Sequence, residues 1–291
     1  MLTQTTDLSP IITKNVSAAL SEDLVAIQTD NSSTEQFDDI TAALIPSHVS
    51  MRASIISREP AIFCGRAWAD ETARQVDSTL KLSWQVDDGK PLVANQILLT
   101  IQGSARSILT IERTVLNFLQ TLSGTATRSA FYAALIAHTS ATVLDTRKTI
   151  PGLRHAQKYA VRCGGAKNHR MGLYDAFLIK ENHIQAAGGI QDVVAAAKSS
   201  RPGLPVEIEV EKIEQLVTAI EAGADIVMLD NFSISAMKAA VALNKNRVKL
   251  EASGGINQTT LVQVAETGVD YVSIGELTKS ITPIDLSLLF K

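Results

Sequence analysis

Six short apolar runs in the second half of the sequence, each closed by polar residues, leave the chain few ways to fold. They are Ala141–Leu144, Ala176–Ile179, Val206–Val210, Asp225–Leu229, Val248–Leu250 and Tyr271–Ile274. Several are apolar without alternation, as expected of parallel strands buried on both faces. Helix-length stretches separate them, and alternating strand and helix favour a parallel sheet, either closed as a barrel or open and doubly wound. An internal echo supports the unit: AIEAGADIVMLDN resembles QVAETGVDYVSIGE, with Gly223 and Gly268 in matching places after a helix and before an Asp and a strand.

The residues just after each strand favour the barrel. The ends carry Asp145-Thr146-Arg147-Lys148, Lys180-Glu181-Asn182-His183, Glu209 and Glu211, Asp230-Asn231, Glu251 with Ser253-Gly254-Gly255, and Gly275-Glu276. In α/β barrels the loops after the strands converge on one face and build the active site there. Polar residues at six successive strand ends are hard to explain in a purely structural protein.

Residues up to about Gly103 read differently. A helical piece around Ile12–Gln28 precedes strand-like runs at Met51–Ser57, Ala61–Gly65, Leu80–Gln85 and Gln96–Ile101, with a turn at Asp88-Gly89. The mix indicates a compact α+β domain. A helix then runs from about Ser104 to Leu122, with Ile108, Ile111, Val115, Leu119 and Leu122 along one stripe, and Ser123-Gly124 is expected to stop it. The expected division is an N-terminal α+β domain at 1–122, with the tail 277–291 returning to it, and an α/β barrel at 123–276.

Positive charge is concentrated between Asp145 and His183. Arg147, Lys148, Arg154, Lys158, Arg162, Lys167, Arg170 and Lys180 face only Asp145, Asp175 and Glu181 there, although the formal net charge of the whole chain is −3. A cleft lined by one sign of charge focuses anions. Arg147, Lys148 and Lys180 directly follow strands, so a barrel holds them near one axis. Arg154, Lys158 and Arg162 fall on a helix and read as solvated surface. His169 and Arg170 follow the flexible Gly164-Gly165 pair and read as ligand contacts, whereas His155 and His183 read as structural. Glu209 and Asp230 end neighbouring strands, where they can coordinate Mg²⁺ or meet sugar hydroxyls. Strand period puts Glu207 and Glu211 on the same face as Glu209, and the pattern does not choose among the three. Ser253-Gly254-Gly255 precedes a helix on the second-last unit, and Gly275 ends the last strand, which is where barrels often hold phosphate.

Other classes are disfavoured. A pI near 6.0 argues against a surface made for nucleic acid. No apolar run reaches the ~20 residues of a membrane helix, and the first residues lack a signal peptide's basic start and apolar core. Cys64 and Cys163 are far apart and form no C-x-x-C, which fits a reduced cytoplasmic setting better than a disulfide framework. There is no G-x-G-x-x-G, no P-loop, no H-E-x-x-H and no G-x-S-x-G.

Taken in order, ERTVLNFL, SGTAT, DTRKTIPGLR, KYAV, the Gly164-Gly165 and Asn168-His169-Arg170 pair of motifs, GLYDAFLIKENH, EIEVE, GADIVMLDN, EASGGI and GVDYVSIGELTKS resemble the quinolinate phosphoribosyltransferases. The resemblance spans nearly all of the barrel and the helix before it, and it is looser over the N-terminal third. Where many members carry a longer glycine run before NHR, this chain has Gly164-Gly165-Ala166-Lys167.

The resemblance implies an incomplete α/β barrel beside a smaller α+β domain, in a homodimer whose sites are completed across the interface by Arg113. It implies that Arg147, His169, Arg170 and Lys180 hold quinolinate. Lys148, Glu209, Asp230 and Ser253, Gly254 and Gly255 would hold phosphoribosyl pyrophosphate, with Thr146 and Gly275 in the same site. Lys148, Lys180, Glu209 and Asp230 would carry the catalysis, with Mg²⁺ held directly or through water by Glu209 and Asp230. The implied reaction makes nicotinate mononucleotide, pyrophosphate and CO₂ in de novo NAD biosynthesis. The rivals are a nicotinate phosphoribosyltransferase, whose substrate has one carboxylate, and a non-catalytic barrel that senses phosphate ligands.

Overall fold

The computed structural model describes residues 7–24 and 39–290, so the Val25–Gln28 end of the first expected helix lies outside the described residues. Two compact units emerge. One contains Ser129–Ile150 and Gly165–Ser280. The other contains described residues up to 128, Pro151–Gly164 and the stretch after Ser280.

The N-terminal unit holds α1 (Ser9–Asp23), β1 (Ser50–Ser57), β2 (Ala61–Ile62), α2 (Arg66–Val76), β3 (Lys81–Trp84), β4 (Pro91–Leu92), β5 (Ile97–Ser104) and most of α3 (Ala105–Leu135). β1 is paired on both sides, with β5 and with β12 (Leu286–Phe290), and the antiparallel order is β12-β1-β5-β3. The last strand of the chain thus completes the sheet begun by the first. Ile55, Phe63, Leu99 and Ile101 meet the stripe Ile108, Ile111, Val115 and Leu119 in one core. That stripe is the one legible in the sequence, and burying apolar area of this kind stabilises a fold by roughly 25 cal/mol per Å².

Three local expectations need correction. The run Ala61–Gly65 is a strand only at Ala61–Ile62, because Gly65 takes a left-handed φ of 118° and starts α2. The long helix does not stop at Ser123-Gly124 but continues to Leu135. Ser123 there is buried and ties its hydroxyl to the backbone of Cys64. A Cβ on Gly124 would lie 2.3 Å from the Thr282 carbonyl oxygen, so this glycine serves a close backbone approach rather than a helix end. Lys158 is not solvated helix surface either: within α4 (Arg154–Cys163) it is fully buried, while Arg162 is exposed over the Tyr159 ring.

The second unit holds β6 (Thr142–Leu144), β7 (Phe177–Ile179), α5 (Glu181–Ala187), α6 (Ile190–Ser200), β8 (Val206–Val210), α7 (Ile213–Glu221), β9 (Ile226–Asp230), α8 (Ile234–Asn244), β10 (Lys249–Ser253), α9 (Leu261–Ala265), β11 (Tyr271–Ser273) and α10 (Glu276–Lys279). The six strands are parallel in the order β6-β11-β10-β9-β8-β7. This is a cyclic order with one missing pair, β6 with β7, so the barrel is incomplete. Lys167 partly covers the free edge of β6, donating from its N–H to Val143 and accepting from Asp145 N–H.

The internal echo acquires a physical meaning. Gly223 and Gly268 both adopt positive φ after a helix, at 82° and 94°. The Asp two residues on, Asp225 or Asp270, accepts a hydrogen bond from a neighbouring strand's backbone, at Val206 N and Leu250 N respectively. Asp225 therefore precedes β9 rather than belonging to it. No helix among the described residues is long and apolar enough to cross a membrane.

Candidate active site at the strand ends of the barrel unit

Each strand of the barrel unit delivers its polar residues to one end, and local contacts fix where they point. After β6, buried Asp145 accepts hydrogen bonds from Asn168 Nδ2 at 2.6 Å and His169 N at 2.9 Å, which anchors the glycine-led loop. Lys148 N donates to Thr146 Oγ1, and the Thr278 hydroxyl donates to the Lys148 carbonyl. A Cβ on Gly275 would sit 2.9 Å from Lys148 Cδ, so the lysine stem runs past the end of β11 only because that residue is glycine. After β7, Lys180 caps α5: its N–H donates to His183 Nδ1, which gives His183 the structural part expected for it.

The acids come from the middle strands. Glu207 and Glu209 share a face of β8, as a two-residue period requires. Glu209 pairs with the Lys180 ammonium. Asp230 ends β9, and Asn231 Nδ2 donates to its carboxylate at 2.8 Å. Gly254 and Gly255 follow β10 with φ of 99° and 61°. A Cβ on Gly254 would fall 2.2 Å from Asn231 Oδ1, so the loop carries glycine where it approaches β9's end most closely.

Thr146, Lys148, Lys180, Glu209, Asp230, Ser253, Gly254, Gly255 and Gly275 all line one cavity of about 560 Å³. The structure thereby separates the three glutamates: Glu209 lines the cavity, Glu211 is exposed, and Glu207 is buried beneath. Asn231, named with Asp230 as a strand end, also lines it, as do Ser273 and Lys279, which the strand-end pattern does not single out. Burial raises the Asp230 carboxyl above its ordinary range, the charge of Glu209 adds to this, and Lys180 and Lys148 pull the other way.

Arg147 and Arg170 make a second cationic group. Burial first, and then the charge of Arg147, lower the pKa of the Arg170 guanidinium, whose Nη1 donates to the Ala176 carbonyl. His169 reaches two buried acids. Its Nε2 lies 3.0 Å from Glu207 and 3.6 Å from Glu251, and all three side chains are almost wholly buried. Arg113 is exposed on α3, in the N-terminal unit.

Glu251 reads from the sequence as a strand-end residue. Because β10 continues to Ser253, Glu251 lies inside the strand and is fully buried. Burial, with the negative charge of Glu207 next, pushes its carboxyl up to about 8 against the pull of His169. The folded chain then keeps a proton that the unfolded chain releases, so stability falls as pH rises from the ordinary carboxyl range through about 8. Glu251→Gln is expected to flatten that slope, seen as denaturation midpoints that change less between about pH 5 and pH 8 than those of the parent.

Comparison with known proteins bears on the whole chain. Residues 125–289 match the model "Quinolinate phosphoribosyl transferase, C-terminal domain", and residues 38–123 match its N-terminal counterpart. A nicotinate-nucleotide pyrophosphorylase [carboxylating] of Mycobacterium leprae is 39% identical over 259 residues, covering 86% of this chain and 90% of the relative. A probable enzyme of the same name from Bacillus subtilis is 38% identical over 251 residues, covering 86% and 87%. The solved nicotinate-nucleotide pyrophosphorylase of Francisella tularensis superposes with a TM-score of 0.91 at 46% identity, over 97% of this chain and 96% of that one.

Proposed function

The chain belongs to the quinolinate phosphoribosyltransferase family, and on that footing we propose how its own residues divide the work. The reaction is transfer of phosphoribose from phosphoribosyl pyrophosphate to quinolinate with decarboxylation, giving nicotinate mononucleotide, pyrophosphate and CO₂ in de novo NAD biosynthesis. One observation carries the division of labour: lysines, paired acids and a left-handed glycine loop line a single cavity, while two arginines cluster beside its first strand end.

The cavity takes the sugar donor. Lys148 and Lys180 meet phosphate oxygens as mobile point charges, and Gly254-Gly255 lets backbone approach the phosphate closely. The acids are set for the sugar: as the bond to pyrophosphate loosens, the ribose carbon gains positive charge, which Glu209 and Asp230 stabilise electrostatically. Glu209's pairing with Lys180 holds that carboxylate in place before the substrate arrives.

Quinolinate, a dicarboxylate, is read by Arg147 and Arg170, whose planar forks match carboxylate geometry. Lys180, which lines the sugar-donor cavity, also assists quinolinate. His169 contributes by holding the Arg170 backbone: Arg170 N donates to His169 Nδ1 at 2.7 Å. The pyridine nitrogen attacks the sugar carbon, and loss of the adjacent carboxylate leaves a carbanion next to the ring N⁺ that stabilises it. Positioning two anions against mutual repulsion supplies much of the rate.

Mg²⁺ belongs to the same reading. Lys148, Lys180 and Lys279 are matched in the cavity by Glu209, Asp230 and Glu276, so the lining has little surplus positive charge for a pyrophosphate group. Asp230's raised carboxyl beside Glu209 marks two oxygen donors whose repulsion a hard divalent cation would relieve. Held there directly or through water, Mg²⁺ would neutralise charge on the leaving pyrophosphate. A homodimer with Arg113 reaching the partner's quinolinate site, and a cytoplasmic location, complete the proposal; the exposure of Arg113 supports the first.

Arg147→Ala tests the assignment. It is expected to weaken quinolinate binding by about 10-fold to 100-fold, as the loss of a charge-assisted bidentate contact implies, with little change for the sugar donor. Equal weakening of both ligands in calorimetric titrations contradicts the division of roles.

A further inference from the structure

Cys64 and Cys163 are remote in sequence, yet the N-terminal unit brings their sulfurs together. The two Sγ atoms and a carboxylate oxygen of Asp88 all lie within 4.8 Å of one another. Cys64 is fully buried just before Gly65 and α2, and Cys163 is the partly exposed last residue of α4. The surroundings are built rather than incidental. A Cβ on Gly89 would lie 3.3 Å from the Cys163 carbonyl oxygen, so the Asp88-Gly89 turn packs directly on the end of α4.

Two chemistries suit such a cluster, and the bonding of Asp88 separates them. Its Oδ1 accepts from Gly65 N at 3.0 Å and Arg66 N at 3.2 Å, and its Oδ2 accepts from the Tyr159 hydroxyl at 2.7 Å. The carboxylate is thus already committed, which leaves a metal ion two thiolates and few other donors. The thiols themselves are asymmetric. The neighbouring Cys64 thiol is the largest influence holding the Cys163 thiol below its ordinary pKa, whereas burial raises that of Cys64. A partly exposed thiol favoured as thiolate, backed by a buried one, is the arrangement of an attacking and a resolving cysteine.

We propose that Cys64 and Cys163 form a redox-convertible pair that small disulfide-bearing molecules oxidise to an intrachain disulfide. Cys163 thiolate attacks one sulfur of the small disulfide, forming a mixed disulfide and expelling one small thiolate. The Cys64 sulfur then attacks the Cys163 sulfur and expels the second. The Cys64 proton leaves with that group as a thiol, and the two electrons lost by the cysteine pair reduce the small disulfide to two thiols. The product closes a long loop, from the turn before α2 to the end of α4.

Intact-mass analysis of the full chain decides the matter. The reduced protein is incubated with oxidised glutathione at about pH 8, unfolded, and treated with N-ethylmaleimide. The chain has two cysteines, so the untreated protein takes two maleimides. The oxidised one is expected to take none, carry no glutathione, and melt at a higher temperature because the loop is closed. Cys64→Ser is expected to retain one glutathione on Cys163, whereas Cys163→Ser keeps Cys64 reactive to maleimide and free of glutathione. Two maleimides on the treated parent, glutathione retained on it, or a covalently linked pair of chains overturns the proposal. Thiol protection that only a chelator lifts also overturns it and assigns the cluster to a metal.

Discussion

Replacing Lys148 by alanine is expected to lower kcat/KM by about 10²–10³-fold, the loss typical of removing one preorganised group that meets developing charge. Three contacts hold this lysine at the cavity: its N–H on Thr146, its carbonyl under Thr278, and its stem against Gly275. None of them depends on the ammonium group, and the residue is exposed. Tm should therefore stay close to that of the parent while activity collapses, which separates a catalytic loss from an unfolded sample. Arginine should restore little. Its bulkier fork must pass the same Gly275 contact, and a planar group does not replace a mobile point charge. The alanine chain also tests the shared site. Mixed with Arg113→Ala chains, it should regain up to about a quarter of the parent activity, because in a symmetric dimer each hybrid has one site free of both changes. No recovery after subunit exchange places Arg113 outside its partner's site.

Gly124→Ala is expected to destabilise the protein by about 2–3 kcal/mol through overpacking, lowering Tm by roughly 4–12 °C. The sign is what makes this informative. Inside an unconstrained helix the same change stabilises by about 1 kcal/mol, because alanine is the better helix former. Here the new Cβ would sit 2.3 Å from the Thr282 carbonyl oxygen and 3.3 Å from Pro283 Cα, both backbone atoms with little freedom to yield. The tail is also bonded alongside, from Ile284 N to the Gln120 carbonyl. Thermal melts of the two proteins decide it. A raised Tm would mean that the tail does not pack on α3.

These two residues also show what a sequence discloses and what it withholds. Lys148 is legible because a buried parallel strand is a continuous apolar run, and the first cations after it must lie at the strand's end. The same logic finds Lys180, Asp230 and Gly254, whereas Glu209 shares its face with Glu207 and Glu211 and is singled out only by the cavity it lines. Gly124 misleads because its reason is the approach of Thr282 from the far end of the chain, and a glycine near a helix end usually signals a stop. Glu251 reads as a strand end because the apolar run stops at Leu250, whereas the strand continues through a buried carboxyl. Lys279 follows the last strand on a short helix and carries no pattern at all. Lys158 looks like helix surface because charge on a helix normally is, and only its packing shows that the residue is buried. Local periodicity reveals elements and their ends; it does not reveal which elements meet.

The most direct measurement of the whole account is product formation from quinolinate labelled in the carboxylate next to the ring nitrogen. With phosphoribosyl pyrophosphate and Mg²⁺, the purified protein is expected to release labelled CO₂ in step with unlabelled nicotinate mononucleotide. It should leave nicotinic acid unused under the same conditions, because the Arg147 and Arg170 pair is matched to two carboxylates. Turnover of nicotinic acid with no labelled CO₂ from quinolinate would contradict it.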